Sequence, residues 1–89
     1  MEKNYKTHLG EIDLIVKDES VIVFVEVKTR LSDDFGAPAE AVTKRKQEKY
    51  FLVATQYLKQ KHAMDAPSRF DVIEIENGQI NHIIDAFCM

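Results

Sequence analysis

The chain has one cysteine, two prolines, three glycines and no tryptophan in 89 residues. The lone Cys88 excludes an intramolecular disulfide and a multi-cysteine zinc cage. So few glycines and prolines, with 45% hydrophobic and 30% charged residues, exclude low-complexity and disordered character. The longest apolar runs are five residues, far short of the roughly 20 that a membrane helix needs. No charged-then-apolar leader opens the sequence. One domain spanning residues 1–89, with its core in 10–85, is therefore expected, in a soluble protein of a reducing cytoplasm with no membrane association. A domain this small buries only about 60% of its unfolded surface, so marginal stability is expected too.

Twelve basic and 15 acidic residues give a formal charge of −3, unevenly spread. Residues 1–27 carry −3, residues 28–61 carry +4 and residues 62–89 carry −4. The basic middle concentrates in Lys44, Arg45, Lys46 and Lys49, with Arg30 nearby. A local basic patch of this kind marks either a phosphate-binding surface or a solvated helix face.

Residues 11–17 and 21–29 are rich in Val, Ile and Phe around Asp18-Glu19-Ser20, which predicts two strands joined by a tight turn. The second is apolar on both faces except at Glu26 and Lys28, as a central strand should be. Residues 31–42 read as a loop. Thr43 is a fair helix N-cap, and Tyr50, Val53, Ala54, Tyr57 and Leu58 form one apolar stripe on a helix over 44–61. Residues 69–76 and 79–85 predict a hairpin closed by Asn77-Gly78, a strong type I′ signal, and residues 3–8 offer a further strand. The strand–helix–strand passage predicts a right-handed crossover between parallel strands. The expected fold is α/β: a mixed sheet with one helix on one face, the other face lacking obvious cover.

A two-residue turn at Glu19-Ser20 pairs Asp13 with Glu26 and Glu11 with Lys28. Three carboxylates and one ammonium then share one patch of sheet; an offset of one pair preserves this and a one-residue slip destroys it. Buried charges cost several kcal/mol each, and adjacent carboxylates repel unless a cation joins them. A divalent metal would supply that cation, and oxygen ligands without a His/Cys set favour Mg²⁺ or Mn²⁺ over zinc. Lys28 would then orient or deprotonate a polarised water. The alternative is a structural ion-pair cluster without catalysis. Asp71, inside an apolar strand, calls for a partner, either structural or in support of the site. His8, His62 and His82 show no metal-ligand spacing.

Gly10-Glu11-Ile12-Asp13-Leu14-Ile15 and Phe24-Val25-Glu26-Val27-Lys28-Thr29-Arg30 resemble the YraN family of bacterial predicted endonucleases, which look like archaeal Holliday junction resolvases. Phe35-Gly36, Pro38 to Thr43, Lys46-Gln47 and Arg69-Phe70-Asp71-Val72 continue the resemblance in order, from residue 4 to about residue 76. The resemblance implies the restriction-endonuclease-like fold and metal-dependent PD-(D/E)xK chemistry. Asp13, Glu26 and Lys28 match that motif, and Gln47 matches a position beside the site. Members carry an amphipathic N-terminal helix ahead of the first strand, which this sequence lacks. On this reading Asp13, Glu26 and the Val27 carbonyl hold Mg²⁺ (or Mn²⁺), Lys28 serves as base and Glu11 assists. Arg30, Lys44, Lys46 and Lys49 clamp phosphates of branched or single-stranded DNA, and symmetric cutting calls for a homodimer. The other readings are a catalytically silent nucleic-acid-binding or scaffold domain and a purely structural partner subunit.

Overall fold

The computed structural model describes residues 2–30 and 43–87. The loop expected over 31–42, the side chain of Arg30, and Cys88 lie outside the described residues. Among the described residues five strands and one helix run in the order β1 (Glu2–Thr7), β2 (Gly10–Asp18), β3 (Val21–Arg30), α1 (Lys44–Gln60), β4 (Ser68–Glu76) and β5 (Gln79–Phe87). The strands form one sheet in sequence order, antiparallel except for the parallel pair β3–β4 that α1 connects. The α/β mixed sheet, with one helix among the described residues, is as the residue pattern implies.

Local chemistry sets the elements. Thr43 caps α1 by accepting from the Lys46 N–H at 3.2 Å, so the helix starts where the sequence offers a hydroxyl. Its stripe of Tyr50, Val53, Ala54, Tyr57 and Leu58 is buried against Ile12, Ile15, Ile22, Phe24, Phe70 and Val72 of the sheet. Phe24 and Phe70 stack at 5.2 Å between centroids, and Phe70 stacks on Phe87 at the same spacing, which aligns the parallel pair and its neighbour β5. Asn77 and Gly78 have φ of 52° and 78°, both positive as the type I′ turn demands. Among the described residues no helix is long and apolar enough to cross a membrane.

The sheet face away from α1 is less open than expected. Val23 and Val25 point there and are buried, at 1% and 4% exposure. Asp71 lies on the same face, beside Val25 in the parallel register. Its carboxylate accepts from Arg69 Nε at 3.0 Å and from the Asp85 N–H at 2.9 Å, and lies 2.8 Å from His82 Nε2. Arg69 also reaches Asp18 at 3.3 Å. Support of the candidate site by Asp71 is therefore corrected: it ties β2, β4 and β5 together on the far face. Strand alternation is the reason, because its neighbour Val72 takes the helix-side position.

Candidate active site

Strands β2 and β3 pair from Asp18–Val21 up to Leu14–Val25, in the register expected from the two-residue turn. With Asp18–Val21 closing the hairpin, the next hydrogen-bonded pair in this alternation would be Ile12–Val27. The Val27 N–H instead donates to Asp13 Oδ2 at 2.8 Å. A side-chain carboxylate has replaced a main-chain acceptor, so the ladder ends and the strands fork. Strand β1 registers the same break, since Asn4, opposite Asp13, has φ of 53°. Consequently Ile12 and Ile15, three residues apart, both enter the helix-side core, which strict alternation forbids.

The fork opens a cleft of about 260 Å³ between sheet and helix, lined by Gly10, Glu11, Asp13, Glu26, Lys46, Lys49 and Tyr50. Glu26 is buried, with 8% of its side chain exposed, and its Oε1 contacts Lys28 Nζ at 3.5 Å and Lys46 Nζ at 3.4 Å. Burial pushes the Glu26 carboxyl above its ordinary range and the Asp13 charge adds to this; Lys46 and Lys28 offset only part. Lys28 is held below the usual lysine range, first by Lys46 beside it and then by burial. Lys46 is raised, its contact with Lys28 contributing most, with Glu26 and Asp13 adding their attraction. Of the two, Lys46 keeps its proton more firmly.

Asp13, Glu26 and Lys28 are thus brought together, as is Lys46 from the first turn of α1. Glu11, Asp13 and Glu26 all line the cleft, but Glu11 stands apart from the other two. Among the described residues no three Asp, Glu, His or Cys side chains group so as to hold a metal. Glu11 is exposed, and because the ladder stops at Leu14 it lines the cleft wall without opposing Lys28. Two ammoniums already sit on Glu26 and offset part of its repulsion from Asp13. Lys44 and Lys49 are exposed on the helix, and Gln47 is half-buried in its first turn. Arg30 ends β3 opposite Glu76. Sequence reasoning assigned Lys46 to phosphates and missed its contact with Glu26; one helical residue among four clustered cations carried no signal to single it out.

Two carboxylates in one half-open cleft suit a hard divalent cation. Mg²⁺ customarily keeps several waters rather than an all-protein cage, so two carboxylates need not complete its shell. Burial first and the Asp13 charge second lift Glu26, and the repulsion between the two acids is the part such an ion would relieve.

Residues 1–75 match the uncharacterised protein family UPF0102. A UPF0102 protein of Clostridioides difficile is 46% identical over 89 residues, covering 98% of this chain and 78% of the relative. One from Sulfurihydrogenibium is 39% identical over 89 residues, covering 100% and 77% respectively. One from Thermodesulfovibrio yellowstonii is 47% identical over 87 residues, covering 98% and 77%. With a match over most of its length and relatives this similar, the chain belongs to the UPF0102 family, the YraN family that its motifs resemble.

Proposed function

We propose that this protein is a metal-dependent endonuclease of restriction-endonuclease-like PD-(D/E)xK type, acting as a homodimer on branched or single-stranded DNA in the cytoplasm. One observation carries the reading: Asp13, Glu26 and Lys28 of the motif assemble at a fork in the sheet, beneath a basic helix terminus. A structural ion-pair cluster needs no fork. Here the strand pairing is interrupted and a buried acid is held against its electrostatic preference, the kind of local cost that functional sites carry.

Asp13, Glu26 and the Val27 main-chain carbonyl would hold Mg²⁺ or Mn²⁺. When bound, such an ion supplies Lewis acidity toward a water and a phosphate oxygen. Asp13 lines the cleft, and its bond from the Val27 N–H fixes one carboxylate oxygen and leaves the other for a metal. Lys28, two residues along β3 from Glu26 and held below the usual lysine range first by Lys46 and then by burial, would position the attacking water and, after releasing its own proton to solvent, accept the water's proton as a neutral amine. Lys44 and Arg45 stand exposed in the first turn of α1, a turn without any acid. Cations there oppose the positive end of the helix dipole, so the turn is matched to an anion such as a DNA phosphate. Together with Lys49 and Arg30 they would grip the backbone without reading sequence.

The test is cleavage of labelled four-way, flap and single-stranded DNA with Mg²⁺ or Mn²⁺. Asp13→Ala or Lys28→Ala is expected to abolish cleavage, a loss of at least about 100-fold, while salt-sensitive DNA binding persists. Cleavage by either variant at the wild-type rate would refute the assignment.

A further inference from the structure

The charged groups at the fork are formally neutral as a set before any metal enters. Asp13 and Glu26 supply two negative charges, and Lys28 and Lys46 supply two positive ones. A divalent cation would raise that set to +2 in a partly buried cleft. It would also compete for Glu26 Oε1, the oxygen that both ammoniums share. Geometry indicates which ammonium yields. Lys28 extends from mid-strand, with its side chain 26% exposed. Lys46 comes from the mouth of the cleft, its side chain 40% exposed, and lines the cavity alongside both carboxylates. A flexible lysine stem on the first helical turn can swing outward without disturbing the cap, because the Lys46 main-chain N–H, not its side chain, bonds Thr43.

We propose that Lys46 is a built-in counter-ion. It holds Glu26 while the metal is absent, leaves when a divalent cation enters between Asp13 and Glu26, and then offers its ammonium to a substrate phosphate. The inference rests on the metal-dependent nuclease reading of the same cleft. It makes metal and nucleic-acid phosphate linked ligands, each favouring the other by removing Lys46 from Glu26.

The test is calorimetric titration with Mn²⁺ alone of the wild type and of Lys46→Met, Lys46→Arg and Asp13→Asn. Lys46→Met is expected to bind Mn²⁺ about tenfold more tightly than wild type. Lys46→Arg, which retains the charge, should bind as wild type does, and Asp13→Asn should lose binding. Thermal denaturation checks that each variant is folded, and Lys46→Gln repeats the neutral substitution should the methionine variant aggregate. Equal or weaker binding by folded neutral variants, with Asp13→Asn still deficient, would overturn the counter-ion role and leave the nuclease site standing. Absence of Mn²⁺ binding in every protein would overturn both. A single-stranded oligonucleotide with non-hydrolysable linkages should raise wild-type Mn²⁺ affinity but not that of Lys46→Met; an unchanged wild-type affinity would overturn the phosphate step.

Discussion

Replacing Glu26 with glutamine removes a negative charge that the fold holds with 8% of its side chain exposed. Taking such a charge out of water costs several kcal/mol after relaxation, and Asp13 adds repulsion. Against this stand contacts to two lysines at 3.5 and 3.4 Å. Both lysines are partly solvated, so each contact returns only about 0.2–1 kcal/mol. The raised Glu26 carboxyl shows which side prevails. Glu26→Gln is therefore expected to stabilise the protein by about 1–2 kcal/mol at neutral pH, within the range for relieving a functional site. At about 4–8 °C per kcal/mol for a domain of this size, the melting temperature should rise by about 4–16 °C in a calorimetric scan. The pH dependence follows from the direction of the shift. A carboxyl raised in the folded state favours folding below its ordinary value of 4.5, and that benefit is lost as pH rises through the folded-state value. The advantage of the variant should thus be full at neutral pH and shrink toward pH 4.5. A variant that melts below wild type at neutral pH, or an advantage that persists unchanged into acid, would refute the reasoning.

Asp71→Asn should destabilise by about 3 kcal/mol in urea titration, because the fully buried carboxylate is the shared acceptor for Arg69, His82 and the Asp85 N–H. Burial alone would raise the Asp71 carboxyl, but these bonds outweigh it and hold it below its ordinary 3.8. Its contribution is present above that value and lost as pH falls through the lower folded one, so the variant should show a flatter acid limb. Thr43→Ala should cost about 1 kcal/mol by thermal circular dichroism, through loss of the cap on the Lys46 N–H.

Elements governed by local chemistry were legible in the sequence. Asn77-Gly78 closes its hairpin because both positions need positive φ, and the five-residue helical stripe is buried as its spacing requires. The β2–β3 register was equally legible, since a two-residue turn leaves one choice. That register was enough to bring Asp13 and Glu26 to one cleft. The fork itself was not legible: substituting the Asp13 carboxylate for a main-chain acceptor is a side-chain choice that periodicity does not record. Extrapolating the alternation through it placed Glu11 against Lys28, a pairing the fork prevents. The contact of Lys46 with Glu26 was not legible for a related reason, because contact between a helix cation and a strand acid depends on how the helix seats on the sheet. Asp71 shows the converse, a polar residue in an apolar strand whose three partners come from its own strand and from β5.

The central claim is that Asp13 and Glu26 form a site for a divalent cation, and titration calorimetry of wild type against Asp13→Asn addresses it without any choice of substrate. Asparagine can still accept the Val27 N–H, so the fork should persist while the charge is lost. Wild type should give a saturable Mg²⁺ or Mn²⁺ heat that disappears in Asp13→Asn. Equal heats in the two proteins, or none in wild type at millimolar metal, would contradict it.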